Sequence, residues 1–478
     1  MSAVFENARS QEAQKEIPLL ADADLQRVFA RHGRREISAA EFLADVFVLA
    51  GRLPEARHAL NLCSQRYHFL VAFCAAAIKG QTNLLPPSRA PQVLAEILRA
   101  YPHHYALTDE DAGVADTRMI DVREALADQA DRTFFANASI PVDQLVAIGF
   151  TSGSTGAPKA NRKTWGGFCA SSALNLAALA TTGDAFNVLA TVPPQHMFGM
   201  ELSVLLPLRS RAAIHASQPL LPADIAGTLE SLPEPRVLVT TPFHLRALHE
   251  SGVTLPPLAA IVTATAPLSA ELAAAVEARF ATRVIELFGS TETCVIAQRR
   301  TALDEAWSLY PDIELHPQPD GTLVGAPHFL EATVLQDIVE LLPQRRFRLR
   351  GRNSDLLEIA GKRASLADLT KRLLAIDGVV DGVVFQLDAE ADSGGGEGVR
   401  RIAALAVAPT RSEAQILAAL RATIDPAFLP RPLRIVDTLP RNATGKLPRA
   451  ALLAALDLPF SRREKVPKAD EGKAPQSA

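Results

Sequence analysis

Between Leu145 and Phe288 the chain alternates short apolar runs with segments of helical spacing, and this alternation limits the fold more than any other feature. The runs Leu145–Phe150, Phe186–Val192, Arg236–Thr240, Leu258–Ala264 and Arg283–Phe288 read as strands. Trp165–Ala180, Ala223–Ser231, Phe243–Ser251 and Ser269–Phe280 lie between them and read as helices. Strands that alternate with helices pair in one direction under a helical cover, so a mostly parallel α/β sheet is expected. In such sheets ligands bind beyond the carboxyl ends of the strands, which is where Gly, Ser and Thr cluster here.

The flanking regions read differently. Residues 1–130 are mostly helical by pattern, with apolar residues at three- and four-residue spacing in Ala23–Gly33, Ala39–Gly51 and Ala90–Ala100. Leu84-Leu85-Pro86-Pro87 breaks that pattern, and Thr108–Thr117 reads as an exposed acidic connector. Residues 330–352 are strand-rich, and an α+β pattern runs from Asn353 to Leu456, with Asp392–Gly396 expected as a flexible hairpin tip. The expected organisation has three parts. A large N-terminal domain, residues 1–352, carries mostly parallel α/β sheets and a β-rich portion. A small mobile α+β C-terminal domain spans 353–460, and a charged, disordered tail spans 461–478.

Composition removes several function classes. With 478 residues, 48% of them hydrophobic, the chain can bury a large core. A net charge of −4 supplies no basic field for nucleic acid. The apolar stretch Phe69–Ile78 is about ten residues, half of what a membrane helix needs, so no membrane insertion is expected. Met1–Ser10 lacks the apolar core of a secretory signal. Cys63, Cys74, Cys169 and Cys294 lie far apart, without zinc-site or disulfide-framework spacing. A cytoplasmic enzyme is the expectation.

The chemistry begins after the first strand of the alternation, at Thr151-Ser152-Gly153-Ser154-Thr155-Gly156-Ala157-Pro158-Lys159. Successive small and hydroxyl-bearing residues expose backbone N–H groups and side-chain donors to an anion, and Lys159 adds a positive charge. The order strand, loop, lysine, helix suits a phosphate site. Neither a Walker A loop nor a GxSxG nucleophile elbow can be placed on these residues.

This stretch resembles the phosphate loop of the adenylate-forming superfamily, which includes acyl- and aryl-acid synthetases, adenylation domains and luciferases. Further matches follow in order over residues 145–450. Phe288-Gly289-Ser290-Thr291-Glu292 resembles the aromatic-Gly-x-Thr-Glu segment. The resemblance implies Phe288 against adenine, Thr291 at the α-phosphate and Glu292 holding Mg²⁺. Ala264-Thr265 sits where the family places its adenine-side turn. Asp337, at the family's interval before Gly351-Arg352, matches the ribose-binding carboxylate, although Leu335-Gln336 replaces the usual Thr-Gly. Arg352 and Arg363 join the nucleotide-binding set. Pro440–Arg449 resembles the terminal PxxxxGK segment, which makes Lys446 the catalytic lysine. The hinge falls on Ser354, with Asp355 as the alternative pivot.

Pro193-Pro194-Gln195-His196-Met197-Phe198-Gly199 resembles the stretch that places a histidine, here His196, near the acid and the acceptor channel. Amino-acid-activating relatives carry an Asp here; this chain does not, and its nearest carboxylate is Glu201. A buried ammonium without a partner is costly, so the acid is read as lacking an α-amine. Met197, Phe198, Thr240, Thr241 and Phe243 line a pocket for an aryl or short acyl group, with the threonines able to bond a ring hydroxyl.

The implied activity is ATP- and Mg²⁺-dependent adenylation of a carboxylic acid, then transfer to the thiol of CoA or of an acyl carrier protein's phosphopantetheine. Similarity to synthetases of aryl-polyene and xanthomonadin-type pathways suggests a hydroxybenzoate-like acid and a carrier-protein acceptor. Arg346, Arg348, Arg350 and Arg352 share one strand face, either a solvated face or a dock for that carrier. A fatty or 3-hydroxy acyl-CoA synthetase, a luciferase-like oxygenase and a non-catalytic nucleotide- or carrier-binding protein remain alternatives.

Overall fold

The computed structural model describes residues 16–111, 113–127, 136–152, 158–179, 185–318, 321–352, 356–359, 362–387, 402–442 and 445–457. The chain divides into two compact units, Met1–Asn353 with Ala443–Lys446, and Ser354–Asn442 with Leu447–Ala478.

The expected parallel sheet forms the centre of the first unit. Val284–Ser290, Ala260–Thr263, Arg236–Thr240, Asn187–Ala190, Ala213–His215 and Val28–His32 are consecutive parallel neighbours in an eleven-stranded sheet. Antiparallel strands extend it at both ends, among them Cys294–Arg299, Arg346–Arg352 and Asp337–Leu342. Val237, Leu238, Val239, Ile261 and Val262 have no exposed surface, as expected for strands covered on both faces. The helices between them begin on caps that the sequence supplies. The Thr164 hydroxyl accepts from Gly167 N–H at 3.1 Å to open Trp165–Ala178. Thr241, followed by Pro242, opens Pro242–Glu250.

A second, six-stranded sheet corrects the helical reading of residues 1–130. His58–Asn61, Thr82–Leu85, His104–Thr108, Met119–Asp121 and Leu145–Ser152 run parallel in it. The first three are four or five residues long and mostly buried, so they show no alternation to betray them. Ala39–Arg52 and Pro91–Ala100 are helices as expected, whereas Ala23–Gly33 is not. Val28–His32 instead pairs with Arg35–Ser38 across a turn where Gly33 takes φ +59°. Burial of Phe29 and Ala30 in the sheet overrides the local spacing. The connector Thr108–Thr117 is not uniformly exposed. Asp109 is buried and accepts from Ser64 N–H, Gln65 N–H and the His68 ring.

The phosphate-loop segment also differs from the strand-loop-helix reading. A second strand, Pro158–Thr164, pairs antiparallel with Leu145–Ser152 before the helix begins, so the loop is the tip of a hairpin. The second unit is an α+β layer. Asp381–Gln386 pairs with Ile402–Val407, which pairs with Leu433–Ile435. Leu369, Leu373, Ile416 and Leu420 fill its core beneath two helices. The glycine-rich tip Asp392–Gly396 and the tail 461–478 lie outside the described residues. Among the described residues no helix is long and apolar enough to cross a membrane.

Candidate active site

Four adjacent parallel strands end side by side, and the predicted residues follow their carboxyl ends. His196 to Gly199 follow Asn187–Ala190, Thr241 follows Arg236–Thr240, Thr265 follows Ala260–Thr263, and Phe288 to Glu292 close Val284–Ser290. The hairpin from the six-stranded sheet meets them through Gly149. A Cβ at that position would lie 2.9 Å from Thr291 Cγ2 and 3.2 Å from Met197 Cε. The phosphate-hairpin strand, the Thr-Glu turn and the His196 segment therefore converge on one glycine.

The turn that carries Glu292 is tightly specified. Ser290 Oγ accepts from Glu292 N–H at 3.1 Å and from Thr293 N–H at 3.2 Å, while Thr293 Oγ1 accepts from Ser290 N–H at 3.2 Å. Cys294 takes φ +61°, and a side chain at Gly289 would collide with its carbonyl. The Glu292 carboxylate accepts from Thr151 Oγ1 at 3.5 Å, and its backbone carbonyl accepts from Lys163 Nζ at 2.7 Å. Asn161 pins the hairpin from within, donating toward Gly149 O at 3.2 Å and Thr151 Oγ1 at 3.4 Å. Lys159 pairs in register with Thr151 and is exposed. Gly153, Ser154, Thr155 and Gly156 lie outside the described residues, and Ser152 is placed by its strand alone.

On the nucleotide side, Thr265 has φ +81°, a conformation rare for a β-branched residue and one that concentrates at functional sites. It follows the buried Ala264. Phe288 is half-buried, with its ring centroid 5.3 Å from that of Trp307 and 5.7 Å from that of Phe347. Asp337 starts an edge strand, yet it is buried and pairs in register with Arg352. Arg363 lies on Lys362–Ser365, paired with Leu356–Ile359. Ser354 and Asp355 lie outside the described residues.

The acid side is built on a sharp bend. A side chain at Gly199 would collide with the Pro193 carbonyl, so only glycine closes the bend. Met197 and Phe198 are buried, and Met197 Sδ lies 3.8 Å from Cys294 Sγ. Burial, and secondarily the positive charge of Lys446, lowers the His196 pKa to about 4, so the imidazole is neutral at pH 7. Lys446 and Gly445 belong to the first unit, and a Cβ on Gly445 would lie 3.3 Å from Phe243 Cβ. Phe243 is half exposed.

The structure adds detail to two expectations. Thr240 and Thr241 are fully buried and engaged with the protein. Thr240 Oγ1 lies 2.9 Å from Thr191 Oγ1, and Thr241 Oγ1 lies 2.9 Å from His244 Nδ1. They stiffen the strand end instead of presenting free hydroxyls. Three of the four arginines on the strand face have acidic neighbours: Arg346 pairs with Asp304, Arg350 with Glu340, and Arg348 lies 3.7 Å from Glu305. This removes the strongest argument for that strand as a carrier dock.

The sequence reading gave no site role to Asn161, Lys163, Glu201 or Arg66. Asn161 and Lys163 share a strand face with Lys159, a period-two signal that could have marked them. Glu201 sits in a π-helical turn, Met200–Leu205, directly after the His196 bend. Its carboxylate accepts from Ser171 Oγ, from Asn175 Nδ2 at 3.0 Å and from Val295 N–H at 3.0 Å. Fully buried Arg66 ties the same turn to the strand end, reaching Ser203 Oγ, Ala190 O at 2.9 Å and Val192 O at 2.8 Å. No local pattern marks either residue.

Among the described residues no three or more His, Cys, Asp or Glu side chains group as a metal site. Glu292 beside the Thr151 hydroxyl suits a Mg²⁺ that arrives on nucleotide phosphates, since that ion commonly uses one or two carboxylates and keeps its other ligands from phosphate and water. A depression of about 460 Å³ lined by Leu258, Glu277, Arg283 and Arg300 lies at the amino ends of the strands, the wrong edge for the ligand of an open α/β sheet.

The sequence profile of the family described as "AMP-binding enzyme" matches residues 39–337. The 4-coumarate–CoA ligase of Halorhodospira halophila is 29% identical over 71% of this chain and 81% of its own length. The enzyme of the same name from Cereibacter sphaeroides is 30% identical over 62% of this chain and 69% of its own. Among solved structures, o-succinylbenzoate CoA synthetase (MenE) from Bacillus subtilis, in complex with ATP and magnesium, superposes with a TM-score of 0.76. Identity there is 18%, with 90% of this chain and 98% of that one covered. ATP-bound MatB from Rhodopseudomonas palustris gives 0.73 at 19% identity, covering 91% and 96%. At these identities the structures establish the fold.

Proposed function

The chain belongs to the AMP-binding enzyme family and is an acid–thiol ligase, and we propose that it adenylates a carboxylic acid without an α-amine, aryl or short acyl. The observation that carries the reading is the convergence at Gly149 of the hairpin, the Thr291-Glu292 turn and Met197. The acid class rests on Glu201. Its carboxylate is buried and already accepts from three protein donors, so it is engaged within the protein and does not stand as the free partner an ammonium needs. The aryl preference is supported by Met197, Phe198 and Phe243 and by relatives named for 4-coumarate.

The proposed roles follow the family resemblance. Thr151 to Gly156, with Lys159, hold the terminal phosphates. Phe288 and the strained turn Ala264-Thr265 flank the adenine, Asp337 accepts from the ribose hydroxyls, and Arg352 and Arg363 complete the nucleotide-binding set. Bound Mg²⁺, held by Glu292 and the phosphates, neutralises phosphate charge. The acid's carboxylate oxygen attacks the α-phosphorus, the bond to the β-phosphate oxygen breaks, and pyrophosphate leaves. Negative charge grows on the α-phosphoryl oxygens, where Thr291 donates a hydrogen bond and Lys446 a positive charge, stabilising the transition state selectively. A thiol then loses its proton and attacks the acyl carbonyl, and AMP departs. Movement about Ser354 or Asp355 separates the two half-reactions. His196, neutral by burial, lines the acid and acceptor side as a hydrogen-bonding group. The thiol is that of CoA or of a carrier protein's phosphopantetheine.

The test is ATP–pyrophosphate exchange over benzoates, cinnamates, hydroxy acids, fatty acids and amino acids, followed by thioester formation with CoA or a carrier protein. Exchange driven by an aryl or short acyl acid is expected. Exchange driven only by amino acids, or by none of the panel, overturns the reading.

A further inference from the structure

The Glu292 turn is short, strained at Cys294, and fastened from outside by two charged side chains that the reaction itself does not use. Lys163, on the outgoing strand of the hairpin, donates to the Glu292 carbonyl at 2.7 Å. Glu201, on the π-helical turn after the His196 bend, accepts from Val295 N–H at 3.0 Å. The two anchors bracket Cys294, a non-glycine residue held at φ +61°. A backbone in that region persists only where its surroundings determine it.

Glu201 is an unusual anchor because burial pushes its pKa up, whereas Ser171, Val295, Asn175 and Lys163 favour its charged form. All three hydrogen-bonding neighbours donate, so the geometry is that of an acceptor-only carboxylate. Asn175 is itself oriented by Tyr310, whose hydroxyl donates to Asn175 Oδ1 at 3.2 Å. The two side chains reach the turn from different segments, Lys163 from the strand Pro158–Thr164 and Glu201 from the π-helical turn Met200–Leu205. Between them the Glu292 carboxylate is left beside the Thr151 hydroxyl.

We propose that Lys163 and Glu201 are positioning residues that clamp the Glu292 turn and hold its carboxylate where a nucleotide-bound Mg²⁺ meets it. The proposal rests on the reading of Glu292 given above. It requires the two side chains to matter for the metal-bound nucleotide and not for the nucleotide alone.

Isothermal titration of ATP, once with Mg²⁺ and once with EDTA, tests this on the natural protein and on Lys163→Met, Lys163→Arg and Glu201→Gln. Lys163→Met is expected to weaken Mg²⁺–ATP binding by about tenfold, the worth of one hydrogen bond to a charged group. Binding in EDTA is expected to change less than about twofold, and Lys163→Arg to recover part of the loss, since it keeps a donor. Glu201→Gln should show the same Mg²⁺-selective loss; if that variant does not fold, the Lys163 pair decides alone. Equal losses with and without Mg²⁺, no loss in Lys163→Met, or a natural protein indifferent to Mg²⁺ each overturn the clamp. A natural protein that binds Mg²⁺–ATP but exchanges pyrophosphate with no acid overturns the proposed function while leaving the clamp standing.

Discussion

Gly149→Ala places one methyl group at the point where three segments of the site meet. The added Cβ would stand 2.9 Å from Thr291 Cγ2, closer than carbon atoms pack, and 3.2 Å from Met197 Cε. The two neighbours yield unequally. Met197 ends in a flexible thioether and can withdraw by a few tenths of an ångström. Thr291 is β-branched and sits in a turn fixed by Ser290, Thr293 and Lys163, so its methyl can leave only by dragging the turn. Overpacking of this kind costs roughly 1–3 kcal/mol. Here the strain falls on the turn that carries Glu292. The expected result is a lowered urea midpoint together with an exchange rate reduced by about tenfold or more, the sensitivity of catalysis to small misplacement. Thr291→Ser removes the clashing methyl and keeps the hydroxyl, so the double variant should regain most of the stability and part of the exchange. The cycle should give a coupling energy of about 0.5–3 kcal/mol. Gly149→Ala with wild-type stability and exchange, or a double variant no better than the single, would refute the convergence at this residue.

Lys446→Ala should lower pyrophosphate exchange by about 10²–10³, the usual effect of losing one transition-state donor, while ATP affinity by titration stays within about twofold. Acid should weaken the fold through His196. Its pKa falls from 6.5 unfolded to about 4 folded, so the unfolded chain binds the proton first, and stability present above pH 6.5 is lost as pH falls toward 4. At pH 5 that amounts to about 2 kcal/mol less than at pH 7, at 1.36 kcal/mol per pKa unit; the gap between urea midpoints at the two values should narrow in His196→Asn, and an undiminished difference would exclude His196 as a source. His215, also lowered to about 4 by burial, adds a parallel loss that the same variant leaves in place.

The alternation from Leu145 to Phe288 was legible because continuous apolar runs there are separated by segments of helical spacing, three of which open on caps that the sequence supplies, Thr164, Thr241 and Ser269. The amino-terminal sheet was not, although it is equally regular. His58–Asn61 and Thr82–Leu85 are four residues each, nearly all buried, and are joined by Arg66–Ile78, whose own face is apolar all round. Short strands buried on both sides carry no alternation, and a uniformly apolar helix supplies no amphipathic phase. Their register comes from distant partners: Thr82–Leu85 lies against Leu145–Ser152, a neighbour some sixty residues away that no local window contains. Val28–His32 fails the same way, since its parallel partner is Ala213–His215.

Within the site the boundary falls between the groups proposed to meet ligand and the groups that hold them. Thr151, Thr291, Glu292 and Lys446 stand in contiguous motifs, because a loop that wraps an anion must draw its donors from neighbouring residues. Lys163, Glu201 and Arg66 act on backbone carbonyls and amides, and any residue type presents those to them. Their partners are spread over the chain: Arg66 reaches Ala190 and Val192, and Glu201 reaches Val295. What the sequence does retain of that support is glycine. At Gly149 the hairpin approaches the Thr291 turn, and at Gly199 and Gly289 a segment folds back on itself, so closely that a methyl group would meet Thr291, the Pro193 carbonyl or the Cys294 carbonyl. Two of these glycines stand inside the motifs and one, Gly149, stands just before the loop, at the fourth residue from the end of a strand where a glycine weakens pairing. A glycine placed there without a positive φ is therefore a sequence-level mark of close approach, and it points at the residue across from it.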